Sequence, residues 1–179
     1  MLKLFLEDFT LDSADIVQLE SRRITDFLLA ISSLGPKDLP TSRALISVIE
    51  GESLPEWVED LGGDEELEAA KEVVVQALPQ LLEQAQHAFE HYPSQDELWG
   101  IIVVGRCCQF YKFERACVEK LKFPTFKASD RLTTDDAEKY ATLVDDTHFI
   151  FDPVLDCYTE MFIKRMEDMM VWALNTFLG

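Results

Sequence analysis

The sequence predicts an all-α protein, a single-domain bundle of six or seven helices spanning residues 1–179. Three observations carry that expectation. Apolar residues recur at steps of three or four along most of the chain, the spacing of one helix face. Seven glycines and seven prolines are too few to turn a chain of many short strands. Apolar residues make up 47% and aromatics 11%, enough at this length to bury a core without covalent staples.

The elements follow in order. A first helix is expected from Asp12 or Ser13, carrying Ile16, Leu19, Ile24, Phe27, Leu28 and Ile31, and stopping before Gly35-Pro36. A second runs from Pro40-Thr41-Ser42 to Gly51, and Ser53 to Trp57 reads as a capped single turn closed by Gly62-Gly63. Residues 64–92 give the clearest pattern. Asp64 is placed as N-cap, with Glu65, Glu66 and Glu68 in the first turns where the helix dipole favours negative charge. Leu67, Ala70, Val74, Leu78, Leu81, Ala85, Phe89 and Tyr92 then form one stripe. Pro79 interrupts it, removing a hydrogen bond at a cost of about 3 kcal/mol, so a kink or two abutting helices is expected.

The central element is a helix over about residues 95–122. Its first part, Leu98 to Gly105, has no polar side, as in a helix buried all round, and Gly100 and Gly105 would let neighbouring backbones come close. A loop over 123–132 opens with Phe123-Pro124, and Thr133 or Thr134 with Asp135 and Asp136 restarts a helix. The long C-terminal helix, about 152–178, starts at Asp152-Pro153 with proline in the first turn. Leu155, Tyr158, Phe162, Met166, Met169 and Ala173 form its core stripe.

Charge is the strongest compositional signal. Sixteen basic against thirty-four acidic residues leave a net −18. Within this, residues 101–132 hold seven cations (Arg106, Lys112, Arg115, Lys120, Lys122, Lys127 and Arg131) and three acidic residues, a net +4 in a chain otherwise at −22. Most of such a surface repels phosphate, so direct nucleic-acid binding is excluded. The seven cations are the partner-binding candidates. No apolar run reaches the length of a membrane span, and Glu7 and Asp8 cut short the opening Met1-Leu2-Lys3-Leu4-Phe5-Leu6 before it can form a signal-peptide core. Cys107, Cys108, Cys117 and Cys157 show no C-x-x-C spacing and read as reduced thiols, which places the protein in the cytoplasm.

Chemistry-bearing motifs are few. His87-Ala88-Phe89-Glu90-His91 matches H-x-x-E-H, the inverted zinc-peptidase motif, in which both histidines ligate and the glutamate is the base. Glu167, 76 residues beyond His91, stands where that motif's third ligand belongs. Facing argues against the set. At 100° per residue His87 lies about 150° and His91 about 110° from the buried stripe, and Glu167 also points away from the stripe of its own helix. The preceding segment is also helical and free of glycine, where that family has strands and a glycine. Asp145 to Asp152, "DDTHFIFD", is similar to the aspartate-rich magnesium motif of terpene synthases, but Phe149 replaces its final carboxylate. Asp145-x-x-His148 has no twin from which a di-iron site could be built.

The expectation is therefore a non-catalytic, soluble helical interaction module with a strongly acidic surface: an adaptor, regulator or inhibitor that meets another protein, for which a basic surface is one option, and needs no cofactor. Self-association is also expected from its apolar surface. Two alternatives stand beside it. One is an acidic nucleic-acid mimic or antidote that neutralises a basic partner. The other is a zinc-dependent hydrolase using His87, His91 and Glu167, with Glu90 as base.

Overall fold

A mixed β-sheet lies between two helices in the computed structural model, which describes residues 2–7, 27–34, 40–54, 63–121, 137–152, 155 and 157–178. The elements are β1 (Leu2–Glu7), β2 (Phe27–Leu34), β3 (Pro40–Glu52), α1 (Asp64–His91), β4 (Glu97–Val104), β5 (Cys107–Glu114) and the single turn α2 (Arg115–Val118). There follow β6 (Thr142–Leu143), β7 (His148–Phe149), β8 (Phe151–Asp152), β9 (Cys157–Tyr158) and α3 (Glu160–Leu178). The sheet order is β1-β2-β3-β4-β5-β6, and β7 pairs with the same strand as β6. The β1–β2, β2–β3 and β4–β5 pairs are antiparallel, whereas β3 and β4 are parallel and are joined by the crossover through α1. A separate hairpin, β8–β9, precedes α3.

The all-α expectation is overturned by this sheet. The three helices are α1, α2 and α3 among the described residues, and the segments read as helices at 27–31 and 40–51 are strands. The physical reason is visible in β3. Leu29 pairs with Ser47 and Ala30 with Leu45, so Ile46 is a bulge with no partner in β2. The extra residue puts Leu45 and Val48 against α1 while Ile46 and Ile49 face α3. Same-face residues three apart imitate the helical step in a strand.

The central helix over 95–122 is likewise a β-hairpin followed by α2. Leu98, Ile102 and Val104 pack on the α1 side, and Trp99 and Ile101 on the α3 side. A strand covered on both faces is apolar without alternation, so its run carries no period to separate it from a buried helix. Gly105 and Arg106 form the two-residue turn between the closing pair Val104 and Cys107, and Gly105 takes φ +56° as the primed hairpin turns require. Gly100 does allow a close approach, here of side chains: a Cβ there would stand 2.4 Å from the Phe113 ring and 2.9 Å from Leu81.

Residues 64–91 form one continuous helix through Pro79, so the two-helix alternative does not hold. Its expected stripe is buried: Ala70, Val74, Leu78, Leu81, Ala85 and Phe89 pack on Leu45, Val48, Leu98, Ile102, Tyr111 and Phe113. Each large side chain so buried contributes about 1.5–3 kcal/mol. The cap differs, because Gly63 at φ +63° precedes the helix and its carbonyl accepts from Leu67 N at 3.2 Å, leaving Asp64 as the first helical residue.

α3 begins at Glu160, eight residues later than expected. Asp152 accepts from Leu155 N at 3.0 Å and so closes a turn in the β8–β9 hairpin. Thr159 is the cap: its Oγ1 accepts from Phe162 N at 3.3 Å and donates to Phe149 O at 2.6 Å. Of the expected stripe, Met169 and Ala173 are buried, Phe162 and Met166 pack beside them, and Leu155 and Tyr158 are exposed in the hairpin. The helix start expected at Asp12 or Ser13, the closing part of the turn expected to end at Gly62-Gly63, and the loop over 123–132 with its helix restart at Thr133 or Thr134 fall at residues 8–26, 55–62 and 122–136, outside the described residues.

Candidate functional site

β5 is the strand that organises the polar groups. Alternation sends Cys107, Gln109, Tyr111 and Phe113 toward α1, and Cys108, Phe110 and Lys112 toward α3. The segment 145–148 runs along its edge, with β7 paired to Cys107 and Cys108. Its four side chains divide between the two faces of the sheet.

On the α1 face there is a cavity of about 430 Å³ among the described residues. Lys71, Val75 and Leu78 line it from α1, Gln109 and Tyr111 from β5, and Glu138, Ala141, Leu143, Asp146 and Thr147 from the following segment. Its polar floor is ordered by Gln109. The Tyr111 hydroxyl and the Thr147 hydroxyl each donate to Gln109 Oε1 at 3.1 Å, and Gln109 Nε2 donates to Asp145 O at 3.2 Å. Gln109, Tyr111 and Thr147 are 8%, 5% and 4% exposed, so this network is out of water. Burial pushes the Tyr111 phenol well above its ordinary range, and the nearby Glu138 carboxylate adds to that shift. At the mouth Lys71 donates to Glu68 at 2.6 Å.

On the α3 face the same segment builds a second cluster. His148 Nε2 lies 3.5 Å from Cys108 Sγ, and His148 Nδ1 lies 3.0 Å from Asp146 O and 3.7 Å from Asp145 Oδ2. Arg165 of α3 donates through Nε to Asp145 Oδ2 at 2.6 Å and through Nη1 to Asp168 at 2.8 Å. The order of groups is that of a cysteine nucleophile, a base and an orienting carboxylate. Its environment is that of a structural thiol. Cys108 is fully buried, and burial first, then the charge of Asp145, pushes its pKa far up, away from the thiolate. The Phe110 ring stacks on His148 with centroids 5.9 Å apart. What the cluster does is fasten α3 to the sheet edge.

The H-x-x-E-H residues are not brought together with their third ligand. His87 and His91 are exposed near the end of α1, where His87 Nδ1 lies 3.3 Å from Glu90 Oε2 and His91 Nδ1 lies 2.9 Å from His87 O. Glu167 is exposed on α3, across the sheet from α1. Among the described residues no three His, Cys, Asp or Glu side chains are grouped as metal ligands.

The described cations of residues 101–132 are dispersed. Arg106, in the β4–β5 turn, donates to the buried Glu66 carboxylate, through Nε at 3.1 Å and also through Nη2. Arg115, at the opposite end of β5, donates to Gln95 O at 2.7 Å and Tyr92 O at 2.6 Å, ion-pairs with Glu119 at 2.9 Å, and covers the Phe89 ring. It therefore holds the α1–β4 connection. Lys112 lies 4.6 Å over the Trp99 ring. Lys120 is exposed, and Lys122, Lys127 and Arg131 lie outside the described residues.

Sequence reading missed Gln109, Tyr111, Glu138 and Thr147 as a group, because a helical assignment scatters them. It noticed Asp145 and His148 only as fragments of metal motifs. The Gly-Arg turn between two β-branched or cysteine-rich runs was the available signal, since it converts the segment to a hairpin and puts Gln109 beside Tyr111 on one face.

No protein-family model matches the chain, and comparison with the curated proteins and with the solved structures finds no match. Among the described residues, no helix is long and apolar enough to cross a membrane.

Proposed function

We propose that the protein is a non-catalytic interaction module whose acidic surface meets a basic protein partner in a reducing, cytoplasm-like compartment. The observation that carries this reading is how the charge is disposed. The chain has a net −18, and two of its described cations are engaged internally: Arg106 with Glu66, Arg115 with main-chain carbonyls and Glu119. Asp64, Glu65, Glu68 and Glu72 are exposed along the first turns of α1, with Lys71 the one cation among them. Such a field steers a cationic surface toward it and weakens as salt is added. The four cysteines are free, which suits a reducing compartment. The buried, neutral Cys108 thiol argues against catalysis by the cysteine cluster.

The test is purification of the untagged chain from its native host at low and at high salt. A stoichiometric basic companion that is retained at low salt and released at high salt is the expected result. A chain that emerges alone at both, or with a companion indifferent to salt, overturns the reading.

A further inference from the structure

We propose that the cavity between α1, β5 and residues 138–147 binds an alkylammonium group. That chemistry is shared by a free aliphatic amine and by a lysine side chain of a partner; only the second source rests on the basic-partner reading above.

The argument starts from what the floor can offer. Tyr111 and Thr147 both spend their hydroxyl protons on Gln109 Oε1. Each hydroxyl oxygen is left with acceptor capacity, and both residues line the cavity. A ligand seated there is therefore asked to donate. The walls are apolar: Val75 and Leu78 from one side, Ala141 and Leu143 from the other. Val75 and Leu143 are 41% and 49% exposed, so apolar surface continues outward from the cavity to its mouth.

Charge then selects among donors. Glu138 and Asp146 line the cavity, and Glu138 is close enough to Tyr111 to act on its phenol. Among the described residues the one cation of the lining, Lys71, is already paired with Glu68 at 2.6 Å. Among the described residues, the lining and the Glu68 partner together carry three carboxylates against one ammonium. An aliphatic stem along the walls, ending in an ammonium shared by Glu138 and the Tyr111 oxygen, satisfies each surface it meets. A carboxylate or phosphate ligand would meet acceptors and like charge.

The experiment is titration of the purified full chain, carrying ¹³C-labelled Val and Leu methyls, with n-butylammonium, n-butanol and butyrate. Saturable shifts of the Val75, Leu78 and Leu143 methyls by n-butylammonium, with n-butanol at least about tenfold weaker, are expected. Glu138→Gln, an exposed position, should weaken the amine about fivefold without moving the n-butanol curve. Lys71→Met should strengthen the amine, since it removes the competing cation. A lysine tripeptide with blocked ends separates the sources: binding as tight as the amine assigns a partner side chain, and binding by the amine alone assigns a free ligand. Equal shifts by n-butanol and n-butylammonium, no saturable shift, or weaker amine binding in Lys71→Met would each overturn the proposal. The probe needs no partner, so failure to find a basic companion leaves this result standing.

Discussion

The Cys108 sulfur and the His148 ring lie within hydrogen-bonding reach of each other, Sγ 3.5 Å from Nε2. Nδ1 of that ring lies 3.0 Å from the Asp146 carbonyl, which can only accept, so in the neutral ring Nδ1 carries the hydrogen and Nε2, 3.5 Å from Sγ, is the acceptor. The tautomer is the one a general base needs. The sulfur it faces is sealed between Phe110 and the α3 side chains that pack on this face.

Thiol reactivity should therefore sort by position. Timed iodoacetamide labelling of the native protein at pH 8, read by mass spectrometry, should modify exposed Cys157 first and half-buried Cys117 next. Cys107 and Cys108 should react only when the chain unfolds. Rapid native labelling of Cys108 would contradict the sealed geometry.

Stability should fall in alkali. Burial chiefly, with the charge of Glu66, pushes the Cys107 thiol from 9.0 up to about 11, against the opposing effect of Arg106. Cys108 and Tyr111 are pushed up as well, both mainly by burial. The unfolded chain thus loses protons from about pH 9 that the folded chain keeps. With fewer protons on the unfolded state, stability declines as pH rises, whereas below pH 9 the contribution of these groups is fully present. Urea midpoints between pH 8 and 10.5 check this. The midpoint should drop above pH 9 and drop less steeply in Cys107→Ala.

The Gly100 notch should not tolerate a methyl. A Cβ there meets Phe113 at 2.4 Å and Leu81 at 2.9 Å, both in the core between α1 and the sheet. Overpacking of this kind costs about 1–3 kcal/mol. Gly100→Ala should lower the denaturation midpoint accordingly, and adding Phe113→Leu should recover part of the loss. An unchanged midpoint in the single variant would mean the ring is not seated as described.

How much of this was legible follows from which elements carry a period. α1 is solvated on one side, so its stripe stood out, and its buried face is the one its spacing gives. The core half of α3 was readable for the same reason, from Phe162 to Ala173. β4 has no solvated face, and the bulge at Ile46 gives β3 a helical step, so both strands lacked the alternation that marks a strand. The outward facing of His87 and His91 was readable from α1 alone. The cavity was not, because it depends on β5 lying beside α1 and beside a segment some thirty residues further along the chain.

Gln95 carries a stability prediction of its own. Its side-chain amide accepts from Leu45 N and donates to Leu45 O, both at 2.7 Å, in the manner of a paired strand residue. The regular β3–β4 register begins only at Ser47 and Trp99, so Gln95 supplies the pairing that Leu45 would otherwise lack on this edge. Gln95→Leu leaves a buried N–H and a buried C=O without partners, at a cost of about 2–4 kcal/mol. Chemical denaturation measures it, and a loss below about 1 kcal/mol would show that water replaces the amide at little expense.

The parallel joint between β3 and β4 also bears on how the chain is made. Translation delivers β1, β2 and β3 first, and the whole of α1 must leave the ribosome before β4 exists. At about 5–20 residues per second that is an interval of several seconds. Throughout it the nascent meander offers an unpaired strand edge and the apolar side chains Leu45, Ile46 and Val48 to any other chain nearby. A cell depleted of its ribosome-associated chaperones should lose this protein to aggregation during synthesis, while the finished molecule, once released, should persist.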